Sequence, residues 1–275
     1  MHVSALAPAL PLAPALDRAN DVLSTLRFTQ EEPRGGPGWV RGSDLAEAGP
    51  VLEDFLTWDD ERILADYGQR GRPQVVASFA LHRYAWPAAV LFTLPYFLLR
   101  RVPWLAPEDV AFHRADGLIT AAAGTFSCLP DDPLAGHPDA RVVADEEALR
   151  AAVREAAAAH LGPVLEGFRP RMRRGSRALW GMATDELTES LWYLGSLLGE
   201  EERALAEAQL LLPGGTTPYP GGAAFRDLTG PDGAVLRTRD RVSCCLFYTL
   251  RPESTCVTCP RMCDSERIER LTAVR

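Results

Sequence analysis

The sequence predicts an α+β protein that is mostly helical, with small β-hairpins and a C-terminal cysteine-rich segment. Three observations carry this. Apolar or helically periodic stretches cover about 74–100, 145–168, 177–198 and 200–212. Turn signals at Ala115-Asp116-Gly117 and Pro231-Asp232-Gly233 each sit between short runs that read as strands. Four of the six cysteines fall within 244–259, after the last long helix.

Residues 1–72 read as an N-terminal arm and short helices. The Ala/Pro-rich start through Leu16 reads as a loose arm, and Pro33-Arg34-Gly35-Gly36-Pro37-Gly38 breaks the short helices of this region. Residues 74–100 read as an apolar helix bent before Pro87 and Pro95. Val110 to His113 and Leu118 to Leu129 read as two paired strands, and Pro130 to Pro138 as a loop. Asp145 opens a helix with Glu146 and Glu147 in its first turn, where acids suit the helix dipole, and the Ala-rich run carries it to about Phe168. From Arg177 to Leu198, the residues Leu179, Met182, Leu187, Leu191, Leu194 and Leu198 recur on one side of a helix. Glu200 to Leu212 reads as a further helix and Pro213 to Gly222 as a flexible loop. The second strand of the last hairpin leads into Cys244. This divides the chain into 1–72, a helical region with a hairpin at 73–212, and a C-terminal segment at 213–275, with 73–275 expected to pack as one unit.

At 275 residues the chain can bury a proper core and does not need cysteines to hold it together. Met1-His2-Val3-Ser4-Ala5 lacks the basic start of a signal peptide. The most apolar stretch, Ala88 to Leu99, is too short for a membrane span and contains Pro95. The expectation is a cytoplasmic protein with no integral membrane segment, in a reducing compartment that favours a metal site over disulfides. The net charge of −8 argues against nucleic-acid binding. Every basic residue is arginine, for the chain contains no lysine. That excludes a P-loop lysine and a Schiff-base lysine, and no G-x-G-x-x-G fingerprint is present.

The cysteines read Cys244-Cys245, ten residues, then Cys256-Val257-Thr258-Cys259. Four thiolates are the ligand set of an iron–sulfur cluster or of a structural zinc. Cys256 and Cys259 fit the chelating turn of either. Cys244 and Cys245 are adjacent, so their side chains diverge unless the chain bends, and a larger centre asks for less bending. The spacing therefore favours iron. Spacing alone does not say which cysteine would serve which iron. Cys263 gives a third cysteine beside the turn: Cys-x-x-Cys-x-x-x-Cys also resembles part of a four-iron motif, so Cys263 is either an alternative ligand or a spare thiol at the head of a helix beginning near Asp264. Cys128, in an apolar run, reads as a buried small hydrophobe.

This pattern, Ser243-Cys244-Cys245-Leu246-Phe247-Tyr248 followed by Cys256-Val257-Thr258-Cys259-Pro260, resembles the FhuF-type ferric siderophore reductases. Ser78 to Pro87, His160-Leu161-Gly162-Pro163 and Leu179 to Asp185 resemble helical segments of that family, and related segments occur in siderophore synthetases. The resemblance spans roughly 74 to the C-terminus. It implies a [2Fe–2S] cluster on Cys244, Cys245, Cys256 and Cys259 that reduces siderophore-bound Fe(III). With no nucleotide or flavin site in view, electrons would arrive from a partner such as a ferredoxin or a reductase. Two other readings stay open: a siderophore-binding or biosynthetic module with structural zinc, and an Fe–S sensor.

The remaining candidates are of two kinds. His82, Arg83, His160 and Trp180 lie in the family-like segments and could contact substrate; helix-face histidines and Trp180 equally suit a structural role. Arg169, Arg171, Arg173, Arg174 and Arg177 lie between two expected helices and could dock an acidic donor or an anionic ferric complex, or simply solvate a loop. Asp185 could pair with a nearby arginine. Tyr248 could cover the cluster or fill a strand face.

Overall fold

The computed structural model describes residues 10–122 and 124–273. In chain order it contains α1 (Ala13–Val22), β1 (Arg27–Gln30), β2 (Trp39–Arg41), α2 (Gly42–Ala46), α3 (Pro50–Tyr67) and α4 (Pro73–Leu99). Then come β3 (Arg101–Pro103), β4 (Val110–His113), β5 (Leu118–Ala121), β6 (Phe126–Cys128), β7 (Ala140–Val142) and α5 (Glu146–Met172). The chain closes with α6 (Ser176–Leu197), α7 (Glu201–Leu211), β8 (Phe225–Thr229), β9 (Val235–Arg239) and α8 (Asp264–Ala273). The fold is α+β and mostly helical.

A helix that is apolar on every side must be covered on every side. α4 is that helix, and it packs most extensively against α6 and α5. Pro87 and Pro95 lie inside it. Thr93 Oγ1 donates back to the Ala89 carbonyl and meets Ser190 Oγ of α6 at 2.8 Å, so the polar atoms on this seam are satisfied. By length and composition alone α4 could cross a membrane, which corrects the expectation that the apolar stretch is too short. Of its most apolar window, 78% is buried inside the protein.

Among the described residues three small sheets decorate the helices. One has the order β1-β5-β4-β2, with β1 parallel to β5 and the other pairs antiparallel. The second is β3-β6-β7, and the third is the β8-β9 hairpin. The turn expected at Ala115-Asp116-Gly117 does join β4 to β5. The single strand expected over Leu118–Leu129 is two strands in different sheets. β5 ends at Ala121, and β6 starts at Phe126, pairing with β3 and β7. A small-residue stretch with Gly124 separates them and offers little side chain to hold a continuous ladder.

The start of the chain is a further correction. As far as it is described, the expected loose arm is α1, with Leu12, Ala15, Leu16 and Ala19 buried in the main core. Those positions form one helical stripe, and Pro14 sits in the first turn where it is tolerated; the Ala/Pro composition masked the periodicity. α5 also runs past Phe168 to Met172, despite Pro163 and Pro170. Asp145 caps its N-terminus as expected, its side chain accepting from the Ala148 amide at 2.9 Å. Only Arg173 to Gly175 separate α5 from α6, and Arg173 adopts the left-handed conformation at the helix end. The arginine-rich stretch is therefore mainly helix end and helix start.

Candidate metal centre

The cysteine segment follows β9 and is pinned to α6 by one buried carboxylate. Asp185 Oδ1 accepts from the Val242 amide at 2.9 Å and from Arg239 Nη2 at 2.6 Å. Its Oδ2 accepts from the Ser243 amide at 2.9 Å. The two residues before Cys244 are thus fixed by a side chain with no solvent exposure. Burial pushes the Asp185 carboxyl up, against the pull of Arg239 and Arg241. Every one of its polar contacts is a donor, which is the environment an ionised carboxylate needs. Arg239, also fully buried, spends its remaining donors on the Ala223 carbonyl and Glu189. Gly181 lets the loop sit directly on α6, since a Cβ there would lie 3.1 Å from Val242 Cγ1 and 3.2 Å from Ser243 Cβ.

The cysteines are held from three further directions. Ser78 Oγ of α4 donates to the Cys245 carbonyl at 2.9 Å, and Arg174 Nη1 donates to the Cys244 carbonyl at 2.6 Å. Arg241 N donates to the Thr258 carbonyl at 3.1 Å and so ties the two halves of the motif together. From α8, Arg267 Nη2 donates to the Cys259 carbonyl and Arg270 Nη1 to the Thr255 carbonyl. Phe247 packs edge-on to Tyr67 of α3 and meets Phe79 of α4, an aromatic trio that lines a cavity with Cys245. The bend that adjacent cysteines require is made at Leu246, which has a φ of 68°. In that turn the Leu246 amide donates to Cys244 Sγ at 3.4 Å.

All six cysteines are free thiols. Cys259 is buried, and Cys244, Cys245 and Cys256 are partly exposed. The thiols of Cys245 and Cys256 act on each other: Cys256, helped by the charge of Arg241, lowers Cys245, and Cys245 pushes Cys256 up. Burial pushes Cys244 up. Cys244 and Cys256 each feel the charge of both Cys245 and Cys259, so the four thiols form one electrostatic group. Cys263 stands apart: it is exposed, its Sγ lies 3.1 Å from Ser265 Oγ, and that contact lowers its thiol. Among the described residues, no three His, Cys, Asp or Glu side chains converge on a single-ion position.

The donor chemistry fits an iron–sulfur cluster. Four thiols from one segment lie in mutual electrostatic reach, and one sulfur already accepts a backbone N–H, as cluster sulfurs do. Beside them the buried guanidinium of Arg241 has Nε and Nη2 without hydrogen-bond partners. Its ion pairs to Asp185 and Glu186 are long, at 3.5 and 3.8 Å. An anionic group on the neighbouring cysteines would satisfy that cation. Residues 241–261 match the FhuF 2Fe-2S C-terminal domain. The match to the FhuF domain is short and runs from Arg241 through the four cysteines to Arg261. No curated protein matches the chain.

A cleft of about 850 Å³ opens beside the FhuF segment, lined by Arg62, His82, Arg83, Trp86, Tyr193, Arg241 and Cys256 among others. A smaller cavity of about 280 Å³ shares His82, Arg241 and Cys256 and adds Cys245. Of the sequence-derived candidates, His82 and Arg83 therefore lie beside the FhuF cysteines. His82 Nδ1 meets the buried Glu186 at 2.8 Å, and that carboxylate raises the imidazole above its usual range. His160 and Trp180 lie elsewhere. His160 is fully buried between the Tyr84 hydroxyl at 2.9 Å and the Leu105 carbonyl at 3.2 Å. Trp180 packs edge-on against Tyr219.

In the arginine stretch, Arg169 pairs with Glu166 and Arg171 with Glu53. Arg173 and Arg174, with Arg72 and Tyr248, line a shallow groove of about 240 Å³ next to Leu246. The residues that sequence reasoning missed are Arg239, Arg267 and Arg241. Their signal was present as arginines flanking the motif, but pairing across more than fifty positions, as between Asp185 and Arg239, leaves no local pattern.

Proposed function

We propose that this protein is a cytoplasmic ferric siderophore reductase. The observation that carries the reading is the shared wall: Cys256 of the FhuF segment lines a cleft large enough for a chelated metal complex. When bound to Cys244, Cys245, Cys256 and Cys259, a [2Fe–2S] cluster supplies a one-electron couple. The reaction moves one electron from a reduced donor to Fe(III), giving oxidised donor and Fe(II); no bond to the protein forms. Fe(II) carries less charge and binds hard oxygen ligands less tightly, so the chelate opens.

The chain's own residues do the rest. Asp185 and Ser78 hold the cysteine turn against α6 and α4. Phe247, Phe79 and Tyr67 give the cavity at Cys245 an apolar wall. Arg241 places positive charge against the thiolates, which favours the more negative reduced state. The donor in this reading is a partner protein such as a ferredoxin or a reductase. Arg72, Arg173 and Arg174 form the groove on the Cys244 side, and their charge suits an acidic donor.

The test is a single turnover. Protein reduced anaerobically with dithionite, freed of excess reductant, is mixed with a ferric siderophore and an Fe(II)-specific dye. Return of the oxidised visible spectrum together with about one Fe(II) per chain supports the reading. A spectrum that stays bleached, or dye that stays colourless, overturns it.

A further inference from the structure

We propose that the cleft is built for a negatively charged ferric chelate with aryl groups, of catecholate type; this rests on the reductase reading above. The lining brings four guanidinium groups, Arg62, Arg83, Arg114 and Arg241, against one carboxylate, Glu189. Glu189 is already engaged by Arg239 at 2.9 Å. Such a cluster of cations needs a cause in a chain whose net charge is −8.

The cations are also pre-positioned. Arg83 of α4 and Arg114 of the β4–β5 turn both place their guanidinium over the ring of Trp58, at 5.1 and 5.8 Å. Arg83 is balanced from beneath by buried Asp59 at 2.6 Å. Among the described residues Arg62 makes one ion pair within 4 Å, to the exposed Asp66 at 3.5 Å, which solvent screens, and it feels Asp59 at longer range. Among the described residues Arg114 makes no ion pair; its Nη1 reaches the Asp54 carbonyl at 3.3 Å. The least compensated charge therefore sits at Arg62 and Arg114.

The same cleft is lined by an aromatic pair. Trp86 and Tyr193 meet edge-to-face at 5.8 Å, and half of Tyr193 is exposed. A cationic wall beside the exposed Tyr193 and the half-buried Trp86 matches a ligand with anionic oxygens on flat rings. Each catecholate brings two negative oxygens to Fe(III), so a tris-catecholate keeps net negative charge. Each hydroxamate brings one, so a tris-hydroxamate is neutral and gives the arginines nothing to hold.

Gallium(III) complexes test this without any electron transfer. Calorimetry on the cluster-loaded protein would compare a hexadentate tris-catecholamide complex of gallium with a hexadentate tris-hydroxamate complex. The catecholamide complex should bind at least about tenfold more tightly at low salt, with the margin shrinking as salt rises. An Arg62→Gln/Arg114→Gln double variant, checked for unchanged melting and cluster content, should lose most of that margin, and Trp86→Leu should weaken the catecholamide complex. Equal or tighter binding of the hydroxamate complex, or an unchanged margin in the double variant, overturns the proposal. Gallium is not reduced here, so the preference can hold when turnover fails, and turnover with a ferric hydroxamate can succeed when the preference is absent.

Discussion

Asp185 is the residue on which the site hangs. It accepts two backbone amides and an arginine, and it is fully buried. Asp185→Asn removes the fully buried one of the two counter-ions of Arg239, leaving Glu189, and puts an amide donor against other donors. Breaking a buried pair in this way costs about 3–5 kcal/mol. The expected outcome is a lower urea midpoint and a loss of bound iron, measured on the same preparation; unchanged iron content would mean that the loop does not depend on this anchor. His160 has a different consequence. Burial lowers its imidazole to about 4, from 6.5. The unfolded chain takes up that proton near 6.5 and the folded protein only near 4. The stability due to the neutral ring is therefore complete above pH 6.5 and is lost as the pH falls toward 4, by about 3 kcal/mol in all. Urea titrations of His160→Gln across this window should show a correspondingly shallower loss, and parallel curves would contradict it. His82 and His160 look alike in sequence only in that each falls on an expected helix. Only the fold separates them: His82 opens onto the cleft, and His160 bonds to Tyr84 and Leu105 in the core.

At the scale of elements, α4, α5, α6 and α7 were legible because their patterning and caps are local, whereas the 18-residue α3 lay in a region read as short helices. Asp145 capped α5 as expected, and the turn at Ala115-Asp116-Gly117 did join two strands. What was not legible depended on partners distant in sequence. β1 pairs in parallel with β5, ninety residues away, and β6 leaves the β5 run for another sheet. α1 is a helix because α4 and the rest of the core cover its stripe, whereas its composition alone looks like linker. Close helix contacts are similarly hidden. At Gly167 of α5 an added Cβ would meet the Leu45 carbonyl oxygen at 2.1 Å and Ala46 at 3.1 Å. Gly167→Ala should therefore push α5 off α2 and cost about 1–3 kcal/mol, despite alanine's better helix propensity. Thermal melting checks this, and a raised midpoint would show that α2 can yield.

Across the whole molecule, the cysteine segment borders two arginine-lined surfaces. The cleft touches Cys256, and the arginine groove lies on the side where Arg174 holds the Cys244 carbonyl. Electrons would enter by one and leave by the other. Arg173→Glu, at an exposed helix end, should slow turnover driven by an acidic donor protein by about tenfold at low salt while leaving dithionite-driven turnover intact. Equal slowing of both would place the effect at the cluster. The central claim, that the four thiols hold a redox cluster, is tested most directly by anaerobic purification followed by a visible spectrum and counts of iron, zinc and sulfide. The account predicts a red-brown protein with two irons and two sulfides per chain that bleaches on reduction, and the same counts in Cys263→Ser. A colourless protein carrying one zinc would contradict it.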